Sequence, residues 1–509
     1  MSQDRPLVYS GWQSERTGFM GSMSLTGCVL VGAAALSILI PIYAQDISGE
    51  LIGVPLAIVL FALATVRIYG MTADEWASLA IRHQINVAGG RDVFLSGVFA
   101  PRRRTDDQQP MDLPGVLARL RILAAPTGGQ EELAVVYDPL ENTYSAVLEI
   151  RYPGLALEDT DQINRRVGAW GAFLRAQCVE GGPIVRIAVH ERSQADDGTA
   201  LQSWTAAHTD PDAPRAAVAV VKELAARGGT VANTRATFLT ITLSASRARL
   251  AIKGAGGGRL GACAVLVREI TAMHSALAAA DLTVVRRLAP RELAQVIRTG
   301  YDPDAVSEMA MRNGAAEQRT WEGVDPGADP ELAGPAAAQT AWGTYQHDGA
   351  ISVTYQVRSW PASSVYATCL QSLLRPRPTA RRSLTLAYEP LGPRRARAEL
   401  SKERTKRDVA RRLRAKTGRI ESMDERADMA RAMEQDMARA SGHGIVRFTG
   451  LVTVTVTDPE ELETACAELQ QDGAAAGLEL RRMWGAQDAG FAAAALPLGQ
   501  GLPARRAVI

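Results

Sequence analysis

Between Gly18 and Gly70 the chain is almost wholly apolar, with no charge from Arg16 to Asp46, and a second apolar run, Leu51 to Val66, ends at Arg67. A bilayer core about 30 Å thick needs about 20 apolar residues per helical span. The pattern therefore predicts two membrane helices, Phe19 to Tyr43 and Leu51 to Tyr69, joined by a polar connection, Ala44 to Glu50. A secretory signal has a shorter apolar region closed by a small-residue cleavage site. Here a second run follows at once, so the hairpin is expected to be retained.

After the hairpin, Trp76, Leu79, Ala80 and His83 fall at helical spacing behind a Thr72-x-x-Glu75 capping pattern. This helix is expected to lie along the cytoplasmic surface. Arg102 to Gln109, between Pro101 and Pro110, reads as a basic linker beside lipid phosphates.

From about Gln130 strands and helices alternate. Leu133–Tyr137 and Tyr144–Arg151 predict a hairpin of strands, and Ile163, Val167, Trp170 and Leu174 mark one face of a helix. Ile184–His190 is the next strand, followed by a helix at Ala217–Ala226 that Gly228 and Gly229 close. Phe238, Thr240, Thr242 and Ser244 alternate with Leu239, Ile241 and Leu243, which reads as a half-buried strand. An apolar helix at Leu260–Leu277, a strand at Thr283–Leu288 and a helix at Arg291–Arg298, opened by Pro290, complete the series.

A linker then interrupts, and the order recurs. Trp342–Gln346 and Ser352–Arg358 form a hairpin, Val365–Leu373 a helix and Ser383–Tyr388 a strand. After a long charged helix, Ile445–Thr457 is a strand with Thr453, Thr455 and Thr457 on a polar face. Leu462, Cys466 and Leu469 mark a helix ending at Gly473, ahead of a strand at Leu478–Met483 and a helix at Gln487–Leu496.

The expected fold is α+β, a two-helix transmembrane hairpin followed by a duplicated ββαβαβαβ body of helices on a mostly antiparallel sheet. The corresponding division is a tail at 1–17, the hairpin at 18–70, a juxtamembrane helix and linker at 71–129, and a first half at 130–312. A linker at 313–340, a second half at 341–500 carrying the charged helix at 394–439, and a tail at 501–509 follow.

Lys and Arg number 56 against 55 Asp and Glu, so charge arguments rest on local blocks. Arg5, Arg16, Arg67, Arg82, Arg91 and Arg102–Arg104 flank the hairpin, whereas its connection carries only Asp46 and Glu50. Positive residues stay in the cytoplasm, so both termini and the body are expected there, at the inner face of the cell membrane. Trp12, Arg16 and Phe19 stand where the chain meets the membrane, as an interfacial anchor or a docking tail. Cys28, Cys178, Cys263, Cys369 and Cys466 lack paired spacing and fit free thiols.

The long helix holds a basic block that includes Arg404, Lys406, Arg407, Arg411, Arg412 and Arg414, then an acidic one from Glu421 to Asp436. It reads either as a solvated arm laced by i,i+4 pairs or as a docking arm for an acidic protein, anionic lipid or nucleic acid.

Gly256-x-Gly258-x-x-Gly261 is the one phosphate-like motif, and a dinucleotide site would require it between a strand and a helix of a βαβ unit. No Lys-Ser or Lys-Thr follows it, which excludes a P-loop. The six histidines show no ligand spacing, and Gly-x-Ser-x-Gly is absent. No cofactor, metal or catalytic residue is expected.

Glu15-Arg16-Thr17-Gly18-Phe19 before a two-helix hairpin, and Gly490-Phe491-Ala492 running to Leu496-Pro497-Leu498-Gly499, resemble an actinobacterial membrane protein family of conjugative, type IV secretion-like gene clusters. Leu288–Leu293, Arg298–Pro303 and Gly442-His443-Gly444 are further matching stretches. The front is similar to a PrgI or VirB-type two-helix subunit. The body resembles the non-catalytic N-terminal domain of a VirB/TraC-type secretion ATPase, without the motor domain, since the sequence stops ten residues after Gly499. The resemblance implies a non-catalytic scaffold that docks a separately encoded secretion ATPase and other membrane subunits. The alternatives are an EccE-like component of a type VII secretion complex and a membrane-bound nucleotide-binding enzyme using the glycine loop.

Overall fold

The computed structural model describes residues 25–45, 47–68, 71–97, 112–128, 132–154, 158–195, 198–210, 212–229, 233–317, 323–361, 365–401, 405 and 444–501. Two helices, α1 (Leu25–Ala44) and α2 (Ile47–Thr65), are each long and apolar enough to cross a membrane. They pack on small residues. Ala34, Gly53, Ala57 and Ala64 are buried, and Ser37 Oγ donates to Ala34 O and, at 3.3 Å, to Gly53 O on the facing helix. The connection is shorter than expected. Ser48, Gly49 and Glu50 belong to the first turn of α2, where an acidic side chain complements the helix dipole.

α2 also stops four residues before Tyr69. Arg67–Ile68 (β1) and Met71–Thr72 (β2) pair as a minimal hairpin, and the Ala73 amide donates to Val66 O at 2.8 Å. α3 (Ala73–Ala88) therefore starts against the end of α2. Thr72 is its N-cap, but without the side-chain bond of a capping box.

The body that follows is built from β3 (Val93–Leu95), β4 (Arg121–Pro126), β5 (Glu132–Asp138), β6 (Thr143–Arg151), α4 (Thr160–Ala176), β7 (Ile184–Ala195), α5 (Thr199–His208), α6 (Arg215–Gly229) and β8 (Asn233–Ser244). Next come α7 (Arg249–Gly254), α8 (Gly258–Ala279), β9 (Thr283–Arg287), α9 (Pro290–Tyr301), α10 (Ala305–Glu317), β10 (Ala337–Thr340), β11 (Tyr345–His347), β12 (Ala350–Ser359) and β13 (Arg381–Leu391). The series ends with β14 (Ile445–Val456), α11 (Leu462–Ala475), β15 (Glu479–Arg482) and α12 (Gln487–Ala494).

All body strands join one antiparallel sheet ordered β3-β10-β11-β12-β14-β13-β7-β8-β6-β5-β4, with β9 on β6 and β15 on β12. The chain is thus α+β. β5-β6-β8-β7 and β11-β12-β14-β13 meet where β7 pairs with β13, from Tyr388↔Ile187 to Arg382↔Ser193.

The sheet is covered on both faces rather than one. α4 and α8 close one face of the first half around Leu148, Leu239, Ile241 and Leu266, and α11 closes the same face of the second around Val353, Val454 and Leu469. α9 and α12 lie on the opposite face, in a core that holds Leu293, Ile297, Tyr301, Phe491, Leu496 and Leu498. α8 also has the length and apolarity of a membrane span, but its Ala262, Cys263, Val265, Leu266, Ile270, Met273 and Leu277 are committed to the sheet.

Several sequence expectations change. α5 and α10 were not expected, and the stretch 313–340 holds the end of α10 and all of β10, which pairs with β11 and β3. Val365–Leu373 is not a helix, because only a 3-10 turn forms, at Cys369–Ser372. Gly473 lies inside α11, where a Cβ would strike Leu480 Cδ1 at 2.7 Å, and the left-handed residue past the helix is Gly477, φ +71°. Of the charged helix, residues 393–401 are helical, and the rest beyond Ser401, Thr405 apart, lies outside the described residues.

The hydroxyl face of β8 is not half-buried. Thr240 and Thr242 are 0% exposed, as are Ser352, Thr354 and Thr453 on β12 and β14. Alternation of Thr with Leu looks like a strand with one wet face, yet these hydroxyls bond one another. Ser145–Thr242 (2.9 Å), Ser352–Thr455 (2.7 Å) and Thr354–Thr453 (2.8 Å) span adjacent strands.

Candidate functional site: the junction between hairpin and sheet

α3 links the apolar hairpin to the sheet through an aromatic stack. Trp76 and His83, on the face expected to be the apolar stripe, meet the Trp342 ring edge-on at 5.7 and 5.5 Å, and Trp342 stacks on Trp484 at 6.4 Å. The Arg482 guanidinium sits 4.7 Å above Trp484 and donates from Nε to Gly343 O at 2.8 Å. The Gly485 amide, φ +68°, donates to Trp342 O at 2.7 Å. Any side chain at Gly485 or Gly343 would enter an indole ring, so these glycines allow the close approach. The stack joins the start of α3, the β10–β11 turn and the β15–α12 turn. Trp342→Ala should therefore leave the sheet folded but loosen α3, costing about 1–2 kcal/mol for the lost aromatic pairs, read as faster amide exchange across residues 76–88.

From this junction α12 runs across the hydroxyl face, and the sheet holds its end by main-chain contacts. Thr385 Oγ1 donates to Ala494 O (2.9 Å), Thr240 Oγ1 to Pro497 O (3.0 Å), Arg192 Nη2 to Ala495 O (3.0 Å) and Arg186 Nη1 to Gly499 O (2.6 Å). Gly499, φ +72°, lies where a Cβ would overlap Ser145. Phe491 and Leu498 are fully buried, about 2 kcal/mol of apolar burial each.

Two arginines meet at the seam between β7 and β13. Arg192 also reaches Thr299 Oγ1 and Val296 O, while Arg381 donates to the Thr299 and Gly300 carbonyls at the end of α9. Helix C-termini carry partial negative charge, so carbonyls take the place of a carboxylate. Burial lowers Arg192 to about 10 and pushes Arg381 well below its ordinary value, with help from Arg192.

His190 Nδ1 shares a hydrogen bond of 2.8 Å with Thr385 Oγ1, and His347 Nε2 one of 2.7 Å with Ser352 Oγ. Burial, reinforced by these arginines, holds His190 well below its usual value and His347 at about 3. Both are neutral when folded but take up protons near pH 6.5 when unfolded. Their stabilisation is complete above that pH and is lost as pH falls, by about 1.4 kcal/mol per pH unit for each ring. The body should melt progressively lower from pH 6.5 to 5, and His347→Gln should remove about half of that slope. Burial raises Asp488 and Glu191 from their ordinary values, so these two carboxyls oppose the trend as pH falls.

The residues singled out in the sequence have different fates. Gly256 lies in the turn between α7 and α8, Gly258 is the first residue of α8, and Gly261 lies in its first turn. The strand-to-helix placement that a dinucleotide site would require is replaced by a helix-to-helix turn. It has no parallel βαβ context, and a Cβ on Gly261 would press into the Ile252 and Ala255 carbonyls, so that glycine lets α8 pack on α7. Arg404, Lys406, Arg407, Arg411, Arg412 and Arg414 lie outside the described residues, as do Trp12, Arg16 and Phe19. The five cysteines are free. Among the described residues no group of His, Cys, Asp and Glu could hold a metal ion.

Trp484, Arg192 and Arg381 went unnoticed in the sequence, and Trp342, expected to open a strand, lies in the turn before β11. Arginine inside strands of otherwise apolar and hydroxyl residues was the available signal for the seam. No family model matches the sequence, and no curated protein matches it.

Proposed function

We propose that the chain is a non-catalytic, membrane-anchored scaffold of a type IV secretion-like, conjugative transfer apparatus, with its body on the cytoplasmic side and a secretion ATPase as its docked partner. The observation that carries this reading is the coupling itself. Two helices fit to span a bilayer pass into α3 through a six-residue reversal, and α3 is stacked on the sheet through Trp342. A free tether would need no such joint. The arginines flanking the hairpin support the orientation, and the seated segment Phe491–Gly499 fits the resemblance to the domain that precedes a secretion motor.

A duplicated origin of the body accompanies this reading. The two strand series have the same order, Ser145–Thr242 and Ser352–Thr455 occupy corresponding registers, and the series meet at His190↔Thr385.

Affinity capture of the full chain from cells should recover a secretion ATPase, and charge reversal across 404–414 should weaken that recovery or nucleic-acid contact. A cysteine at Ser48 should react with an impermeant reagent from outside the cell. Capture with type VII secretion components instead would favour the EccE-like alternative, and labelling only from the cytoplasm would reverse the orientation.

A further inference from the structure

We propose that α3 is a second, in-plane membrane contact, its outer face lying in the lipid headgroup and acyl boundary. The inference rests on the membrane-anchor reading and deepens it. The face of α3 that carries Trp76 and His83 is occupied by Trp342. Ile81 and Ile85, one helical turn apart, lie on the opposite side and are 60% and 59% exposed, with Ala77, Ser78 and Ala88 along the same flank. A soluble helix with one face on a body normally shows polar residues on the other. On α3 that flank starts with the polar Asp74 and Ser78, but its second half presents Ile81, Ile85 and Ala88 instead.

Chain continuity argues for lipid as the second occupant. The bond from the Ala73 amide to Val66 O fixes the first turn of α3 at the end of α2, whose Leu56, Val59 and Phe61 form an exposed apolar surface. Met71, Thr72 and Ala73 are buried in that joint, so α3 cannot swing away from the boundary without breaking it. With the sheet on one side, the Ile81 and Ile85 flank extends the lipid-facing surface of the hairpin. Arg67, Arg82 and Arg91, all exposed, stand at the reversal, along the helix and just past its end. Cationic side chains around an apolar stripe suit an anionic leaflet.

The test uses the full chain reconstituted in vesicles of mixed neutral and anionic phospholipid. A dansyl-bearing amino acid is placed in turn at position 81, 85, 59 or 140. Nitroxide attached high on the acyl chain should cause a severalfold loss of emission at 81 and 85, and iodide in the buffer should have little effect. Position 59 in α2 reports whether the hairpin is inserted, through a deep nitroxide, and exposed Leu140 on the body should respond only to iodide. If 59 is quenched by lipid while 81 and 85 respond to iodide, the in-plane contact is wrong and the anchor reading stands. Shielding of 81 and 85 from both quenchers would assign the face to protein and equally overturn the proposal. Loss of lipid quenching at 59 would remove the anchor reading together with the inference.

Discussion

Gly53→Val should force α1 and α2 apart and lower the thermal midpoint of the hairpin in detergent or bilayer. Gly53 faces the Ser37 carbonyl so closely that a Cβ would overlap the oxygen and come within 3.5 Å of Pro41 Cγ. The obstacle is backbone of the facing helix, which cannot rotate away as a side chain would. In a bilayer, helices associate through close packing of small residues rather than by escaping water. The clash therefore removes contacts at Ala34 and Ala57 along with its own. Overpacking of this kind costs about 1–3 kcal/mol. Gly53→Ala should shift the midpoint in the same direction by less, and an unchanged midpoint for the valine variant would show that the helices do not rest on each other at this level.

Arg381→Met should lower the stability of the body by about 2 kcal/mol, seen as a fall in the denaturant midpoint. Two effects oppose. Removing a fully buried cation relieves its desolvation and its repulsion from Arg192. Against that, the Thr299 and Gly300 carbonyls lose their donors, at about 1.5–3 kcal/mol for each bond to a charged group. The second effect is larger because both carbonyls belong to a buried helix end held over the seam. Arg381→Lys should rescue little, since one ammonium cannot reproduce a planar fork on two carbonyls.

Local elements were readable where the sequence pattern and the burial agree. β6, α4, α8, β14 and α12 have strong periodicity and long runs, and their positions follow from it. Reading failed where tertiary context reassigns a surface. Thr240, Thr242, Thr453 and Thr455 alternate as a solvent face would, but the segment after α12 covers part of that face, and it comes from more than 250 residues downstream of Thr240. Trp76, Leu79 and His83 identified a real stripe on α3 without revealing that it meets a turn around Trp342. β10 was hidden by a composition of Ala, Gln and Thr that carries no strand signal, and its pairing with β3 supplies what propensity does not.

The core that holds α12 also sets a schedule for synthesis. Leu113, Leu293 and Tyr345 share that core with Phe491 and Leu498, so it cannot close until the ribosome has passed the last of these positions. The hairpin emerges more than 400 residues earlier, which at about 5–20 residues per second is tens of seconds. During that interval the nascent body carries an open ledge of hydroxyls and arginines while its front is already apolar enough to enter a bilayer. A ribosome stalled before Phe491 would leave this ledge uncovered, and such chains should be cleared by proteases far faster than the finished product.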